Sequence, residues 1–157
     1  LGYNSADRPQ IDLILGIDNE KLWHQHNLIV NHRDYNAYSA NYLTKAPKFV
    51  RYIGVPITFL LFVKFHDYKF KLGVINQDNL ENDLLHWQNQ FLAGRFQKPI
   101  LKVKSNELFD NIISTNRFLA YCLASFLFDN DYYNFDQVMH KLISLSYIVD
   151  IRTIFWL

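Results

Sequence analysis

The first part of the chain alternates apolar runs with polar breaks, a pattern that predicts strands. The run from Ile11 to Ile17 (IDLILGI) is almost continuously apolar and predicts a buried central strand. Two further apolar runs, Val55 to Phe65 and Phe70 to Ile75, are separated by the polar turn His66-Asp67-Tyr68. This spacing predicts a hairpin, although no Asn-Gly pair specifies its turn.

Apolar residues at helical spacing fill the remainder of the pattern. Asp18 or Asn19 is placed to cap the helix that follows the first strand, and Asn134 is placed to cap the final helix. The alternating segment ILKVK directly follows Pro99 and predicts one more short strand. The other predicted elements are helices over Asp34 to Thr44, Asp78 to Leu92, Asn106 to Phe128 and Phe135 to Ser146, and a β-like tail over Tyr147 to Trp156.

The pattern changes near Asn106, where strands give way to two helices and a short β-like tail. This order is the outline of a small winged-helix-like module, and it predicts a boundary between residues 1–104 and 105–157. A DNA-binding module of this kind carries basic residues on its second helix. Here that helix offers only His140 and Lys141 against Asp136, so we expect no nucleic-acid partner.

Composition and charge narrow the class of protein. With 157 residues, half of them hydrophobic and 17% aromatic, the chain is too apolar to be disordered and can bury a core. The net charge of +1 means that any electrostatic function depends on local clustering. The lone Cys122 lies in an apolar run, where we expect it to be buried, and it excludes an internal disulfide. The longest apolar stretches, Ile53 to Phe65 and Phe118 to Phe128, are shorter than a membrane span.

Candidate chemistry lies in two stretches. Lys71, Arg95 and Lys98 are placed at the two ends of a strand-and-helix unit, an arrangement that suits a phosphate. Asp12 interrupts the first apolar strand, and a carboxylate buried there is costly unless it is paired or bound to a metal. The alternative is an edge position where Asp12 faces water. A strand-borne carboxylate beside cationic residues is the general layout of nucleotidyl transfer, in which Mg²⁺ bridges the nucleotide phosphates.

Three blocks of sequence carry a resemblance to a known family. The first, PQIDLILGIDNEKLWHQHNL (Pro9 to Leu28), and the second, KLGVINQDNLENDLLHWQNQFLAGRFQKPI (Lys71 to Ile100), are followed by ISLSYIVDIR (Ile143 to Arg152). In this order they resemble blocks of the mitochondrial translocator assembly and maintenance family. Among them are the family's Lys-Tyr-Gly-Val-Ile and Ala-Gly-Arg-Leu-x-Lys-Pro motifs.

The resemblance implies a mitochondrial CDP-diacylglycerol synthase, which is a Mg²⁺-dependent phosphatidate cytidylyltransferase. Such an enzyme condenses CTP with phosphatidic acid and releases pyrophosphate, as an early step toward cardiolipin. The family's members are peripheral proteins on the matrix face of the mitochondrial inner membrane. The implied fold is α/β (α+β), with a nucleotidyltransferase-like mixed sheet and flanking helices over residues 1–104 and a winged-helix-like module over 105–157.

The resemblance also implies roles for individual residues. Asp12 is the expected Mg²⁺ ligand, and Lys71 is the expected residue that binds phosphate and stabilises developing charge. The remaining residues implied to bind substrate are Arg95, Lys98, Asn31 and Tyr35. Asp83 and Trp87 also match family positions, with Trp87 expected in the core and Asp83 expected to orient a neighbouring cation.

One departure from the family leaves alternatives open. The family's Gly-Ser-Gly segment, whose backbone N–H groups would cradle the triphosphate, lies upstream of its Asp strand and is not in these 157 residues. A catalytically inactive, membrane-associated binding or assembly module of the same fold is therefore the alternative. A nucleotidyltransferase acting on RNA or protein is a weaker one, because it would need a broad basic surface.

Overall fold

Three strands and five helices make up the described part of the chain, which is mixed α/β as expected. The structure is a computed structural model that describes residues 9–35, 56–128 and 134–147. Contacts divide the chain into two units, Leu1–Asn79 and Leu80–Leu157. The elements are β1 (Ile11–Ile17), α1 (Glu20–Val30), a 3₁₀ turn (His32–Asp34), β2 (Ile57–Phe65), β3 (Tyr68–Asn76), α2 (Gln77–His86), α3 (Phe91–Phe96), α4 (Glu107–Phe126) and α5 (Phe135–Tyr147).

The sheet of the first unit has the order β1-β3-β2, with β1 parallel and β2 antiparallel to β3. The predicted hairpin between β2 and β3 is confirmed, and its turn places His66 at a φ of 51°. The prediction of a central β1 is wrong for the described strands, because β1 pairs only with β3 and lies at the edge. Asp12 and its neighbours Ile11 and Leu13 are exposed there, as the alternative interpretation of Asp12 proposed.

Helix α1 covers one face of this sheet. The helix begins where predicted, since the side chain of Asn19 accepts a hydrogen bond from Leu22 N at 3.0 Å. Thr58 Oγ1 donates to Glu20 Oε1 at 2.7 Å, which ties α1 to β2. Val74 lies beside Thr58 in the sheet and is fully buried. The face that carries Thr58 and Val74 therefore packs against α1, and the side chains of alternate residues, among them the fully buried Ile75, project to the other face.

Gly73 lies on that other face, where a side chain would collide with β2. A Cβ built at Gly73 would lie 2.7 Å from Ile57 Cδ1 and 2.9 Å from Phe59 Cε1. We expect Gly73→Ala to lower the free energy of unfolding by about 1 to 3 kcal/mol, because one of these side chains must move. Urea denaturation would measure the loss. The control is Gly16→Ala at an exposed position of β1, and an equal loss in that variant would contradict the steric explanation.

The second unit differs from the prediction in its first helix. The single helix predicted over Asp78 to Leu92 is two helices, α2 and α3, separated by residues 87–90. Trp87 and Gln90 have φ values of 51° and 54°, so the chain reverses direction by left-handed backbone conformations that helical periodicity cannot reveal. Asp83 on α2 faces the interior and is 2% exposed.

Helices α4 and α5 begin where the sequence predicts. The Asn106 side chain accepts from Phe109 N at 2.8 Å, and Asn134 exchanges reciprocal hydrogen bonds with Gln137. The strand predicted for ILKVK is wrong, because residues 99–106 are neither helix nor strand. Cys122 on α4 is exposed, contrary to expectation. Most of the helix predicted over Asp34 to Thr44 lies outside the described residues, and so does the β-like tail predicted over Tyr147 to Trp156 apart from its first residue. The prediction of a winged-helix-like module depends on that tail.

Candidate functional site

Asp12 and Lys71 are neighbours across two parallel strands. Their Cα atoms are partners in the register of β1 and β3. Residues that face each other in this way project from the same side of a sheet, and the strands lie about 4.8 Å apart. Asp12 is exposed and Lys71 is half-buried, so both side chains can be reached from solvent. The structure thus brings together the predicted metal ligand and the predicted phosphate-binding cation.

Phe59 supports the lysine of this pair. The Nζ atom of Lys71 lies over the Phe59 ring, 4.6 Å from its centroid, in cation–π range. The ring occupies this place because Gly73, which pairs with Phe59, has no side chain to exclude it. Phe59 and Gly73 are adjacent to Thr58 and Val74, so by alternation the cluster lies on the face opposite α1. Asp12, Lys71, Phe59 and Gly73 define the sheet-face site.

The fit of this site to Mg²⁺ is partial. A carboxylate oxygen is a ligand that Mg²⁺ prefers, and the exposed carboxylate of Asp12 supplies one. In the described parts of the chain, no three Asp, Glu, His or Cys side chains converge to hold a metal ion. Asp12 would therefore share the ion with nucleotide phosphate oxygens or with residues outside the described ranges.

Arg95 and Lys98 belong to the second unit. Arg95 lies within α3, beyond Leu92 where the predicted helix ends, with its guanidinium 3.8 Å from the centroid of the Phe91 ring. Its Nη1 atom donates to Phe91 O at 2.8 Å. Lys98 follows the helix, and its carbonyl oxygen accepts from Arg117 Nη2 at 2.8 Å. Both side chains are half-buried, and the two residues are three positions apart in the sequence. Their role in substrate binding stays a prediction.

Asn31 and Tyr35 pack with α1. The hydroxyl oxygen of Tyr35 accepts from Asn27 Nδ2 at 3.0 Å, and Asn27 Oδ1 accepts from Asn31 Nδ2 at 2.7 Å. Tyr35 is 8% exposed, and its hydroxyl also lies 2.9 Å from His24 Nδ1. A substrate could bind this hydroxyl only by replacing these hydrogen bonds, so Tyr35 is a buried partner of α1 in this structure. Substrate binding by Asn31 and Tyr35 stays a prediction.

The Tyr35 hydroxyl lies between two side chains of α1. Its oxygen accepts from Asn27 Nδ2 and lies 2.9 Å from His24 Nδ1, where the donor is set by the histidine tautomer. The Nε2 atom of His24 is 3.7 Å from Glu20 Oε1 and has no hydrogen-bond partner among the described residues. His24 is therefore buried among side chains of its own unit, whereas His26 is exposed.

The environment of Tyr35 predicts a pH dependence of stability. Burial, and secondarily the charge of Asp34, raises the pKa of Tyr35 above 10.0 although the Asn27 hydrogen bond opposes the change. The native state therefore keeps a proton that the unfolded chain releases, and stability should fall as pH rises from about 10 through the folded-state pKa. We expect Tyr35→Phe to cost about 1 kcal/mol at neutral pH and to flatten this alkaline decline. Urea denaturation from pH 7 to 11 would measure both effects, and an equally steep decline in the variant would contradict the assignment.

Asp83 is the residue whose role the sequence did not reveal. Its Oδ1 accepts from Asn89 N at 2.7 Å, and its Oδ2 accepts from Leu92 N and Ala93 N at 2.8 and 3.1 Å. Asp83 therefore caps the beginning of α3 from within α2 instead of orienting a cation. Its position in the sequence did indicate burial, because Asp83 lies next to Leu84 and three residues after Leu80, both on the buried side of the helix.

Asn116 completes the polar interior of this unit. It is fully buried, donates to Ala93 O at 3.0 Å and accepts from Trp87 Nε1 at 2.8 Å. Trp87 is half-buried, and its indole joins the break between α2 and α3 to α4. These bonds fix the start of α3 and hence the position of Arg95, which lies within the same helix.

Comparison with known proteins gives a consistent result over most of the chain. A family model described as "Phosphatidate cytidylyltransferase, mitochondrial" matches residues 2–156. A protein of that name from Schizosaccharomyces pombe is 30% identical over 159 residues, covering 99% of this chain and 39% of its own length. Proteins of the same name from Dictyostelium discoideum and Danio rerio are each 30% identical over 152 residues, covering 92% of this chain and 35% and 43% of their own lengths. The chain thus spans about two fifths of the length of these relatives.

Proposed function

The chain belongs to the mitochondrial phosphatidate cytidylyltransferase family, and from this premise we propose that it forms part of an enzyme that makes CDP-diacylglycerol from CTP and phosphatidic acid. The product would feed cardiolipin synthesis. The protein would act as a peripheral protein on the matrix side of the mitochondrial inner membrane. No helix in the described residues is both long enough and apolar enough to span a bilayer.

The register of β1 and β3 carries this proposal. It aligns Asp12 with Lys71 on the face of the mixed sheet opposite Thr58 and Val74, although the two residues are distant in the sequence. In a metal–nucleotide complex, a carboxylate can bind the cationic metal and a neighbouring ammonium group can bind the anionic phosphates. Thr58 and Val74, on the opposite face, are occupied with α1 and the core.

In the proposed reaction, a phosphate oxygen of phosphatidic acid attacks the α-phosphorus of CTP. A new P–O bond forms, the bond between the α-phosphorus and the bridging oxygen breaks, and pyrophosphate leaves with that oxygen. Negative charge develops on the leaving group, and the Lys71 ammonium would stabilise it. The Phe59 ring beneath the ammonium group restricts the positions that the Lys71 side chain can adopt. Lys71 would therefore be better positioned for the reaction than a mobile surface lysine.

Mg²⁺ is part of the proposal because of Asp12. The exposed carboxylate would hold the ion against the triphosphate, and the ion would supply Lewis-acid neutralisation of the phosphate charge. Arg95 and Lys98 would add contacts to the nucleotide or to the phosphatidate head group, with Asn31 and Tyr35 as further substrate-binding candidates. We also propose residues 1–104 as the nucleotidyltransferase-like domain and 105–157 as the winged-helix-like module.

The test uses protein expressed from the complete open reading frame. Purified protein would be incubated with radiolabelled CTP, phosphatidic acid in liposomes and Mg²⁺, and the lipid fraction analysed for CDP-diacylglycerol. We expect labelled lipid whose formation requires phosphatidic acid and stops when the divalent ion is chelated. Absence of product together with absence of CTP binding by calorimetry would overturn the enzymatic proposal and leave a non-catalytic binding or assembly module.

A further inference from the structure

The segment from Lys98 to Lys104 (KPILKVK) places apolar side chains in water on a short irregular loop, here called the KPILKVK loop. Leu101 is 92% exposed, Val103 is 82% exposed and Ile100 is 36% exposed. Single exposed apolar residues are common on proteins, but a cluster at the tip of one loop marks an interaction surface. Lys102 lies between Leu101 and Val103, and Lys98 and Lys104 flank the apolar residues, so the loop combines apolar and cationic side chains.

Both ends of the loop are fixed to α4. At its start, Arg117 donates from Nε to Phe96 O at 3.1 Å and from Nη2 to Lys98 O at 2.8 Å. At its end, Ser105 Oγ and Lys102 Nζ both donate to Asp110 Oδ1, at 2.5 and 2.7 Å. The loop is therefore held in a defined place, with Leu101 and Val103 exposed to solvent.

The charges around the loop are predominantly positive. The cationic side chains are Lys98, Lys102, Lys104 and Arg117, and the acidic ones on the adjoining first turn of α4 are Glu107 and Asp110. Lys104 is exposed, and Lys102 keeps 43% of its side-chain surface exposed while bonded to Asp110. A surface complementary to this loop must accept apolar side chains between anionic groups. An anionic phospholipid bilayer does so, because its phosphates lie above hydrocarbon.

We propose that the KPILKVK loop docks on an anionic phospholipid surface, with Leu101 and Val103 entering the boundary between head groups and hydrocarbon and Lys104 bonded to a lipid phosphate. Pro99 restricts the backbone at the base of the loop, which lowers the entropy lost on docking. The inference deepens the proposed function, on which it rests, by identifying how a protein without a described membrane span would reach a lipid substrate.

The test separates docking from catalysis by the choice of lipid. The complete protein and its variants would be sedimented with vesicles of phosphatidylcholine and phosphatidylglycerol, an anionic mixture that lacks the proposed substrate. We expect the double variant Leu101→Ser, Val103→Ser to bind at least about tenfold more weakly, from the lost apolar burial. Lys104→Gln should bind roughly fivefold more weakly and depend less on salt.

A matched control lies in the same unit. Phe126 is 86% exposed at the other end of α4, about 30 Å along the helix from Glu107, and we expect Phe126→Ser to bind the vesicles like the parent. Thermal midpoints equal to the parent's would show that the variants fold. Equal loss in Phe126→Ser, or undiminished binding by the double variant, would overturn the proposal.

Tryptophan fluorescence gives a direct reading of depth. The emission of Leu101→Trp should shift to shorter wavelength when these vesicles are added and should be quenched by brominated lipid, whereas Phe126→Trp should do neither. Unchanged emission from position 101 would also overturn the proposal. If the parent protein forms no CDP-diacylglycerol, the proposed function is contradicted. The vesicle-binding results would still decide the role of the loop.

Discussion

Lys71→Met in the complete protein is expected to lower CDP-diacylglycerol formation by about 10² to 10³-fold while leaving the fold intact. The substitution keeps an apolar stem over Phe59 but removes the ammonium group that would stabilise the leaving pyrophosphate. Asp12→Asn should cause a loss of similar size, because the amide keeps the shape of the carboxylate and removes the charge that would hold Mg²⁺. The measurement is the rate of label transfer from CTP to lipid at saturating phosphatidic acid.

Lys69 provides a matched control for this experiment. It lies two residues before Lys71 on the same strand and face, and it is exposed near the hairpin. Lys69→Met should therefore retain most of the activity, since it changes net charge equally but at a distance from Asp12. Comparable loss in Lys69→Met, or full activity in Lys71→Met, would contradict the assignment of the sheet-face site.

Asp83→Asn is expected to lower the free energy of unfolding by about 2 to 4 kcal/mol, the largest stability effect that we predict. The buried carboxylate accepts three backbone N–H groups, and the amide would direct its own N–H₂ group at one or more of them. Gln90 at the start of α3 makes no side-chain capping bond, so nothing at that position replaces the lost acceptor. Urea denaturation of the complete protein, followed by circular dichroism, would measure the change.

The control for Asp83 is a carboxylate with partners but without burial. Asp110 accepts from Lys102 and Ser105 at the surface, where water can replace either bond, so Asp110→Asn should shift the urea midpoint much less. Equal shifts in the two variants would show that burial does not set the importance of Asp83. A fall in activity of Asp83→Asn at temperatures where it remains folded would further indicate that the start of α3 positions Arg95.

The starts of three helices were the most predictable part of the fold. Asn19, Asn106 and Asn134 cap the helices they were expected to cap, because a capping bond joins atoms only two or three residues apart. The hairpin of β2 and β3 was predictable for the same reason, since its turn has two residues. The split between α2 and α3 was not, because the left-handed conformations of Trp87 and Gln90 depend on where Asp83 and Asn116 are buried.

The candidate site was predictable in identity but not in arrangement. The motifs around Asp12, Lys71, Arg95 and Lys98 identified a family from sequence alone, and the comparisons confirm that family. They did not reveal that Asp12 lies exposed on an edge strand of the described sheet, since an apolar run such as β1 looks the same whether it is paired on one side or both. Nor could they show the Phe59 ring beneath Lys71.

The sequence by itself determined the family, the mixed α/β class, the hairpin and the starts of three helices, all of which depend on local spacing or on motif identity. Only the tertiary structure decided which distant residues meet: Asp12 beside Lys71, Asp83 beneath the start of α3, and an exposed KPILKVK loop where alternation predicted a strand. The physical reason is that strand register and burial are set by packing over the whole unit. A periodic pattern identifies a face that can be buried, but the partner that covers it comes from elsewhere in the chain.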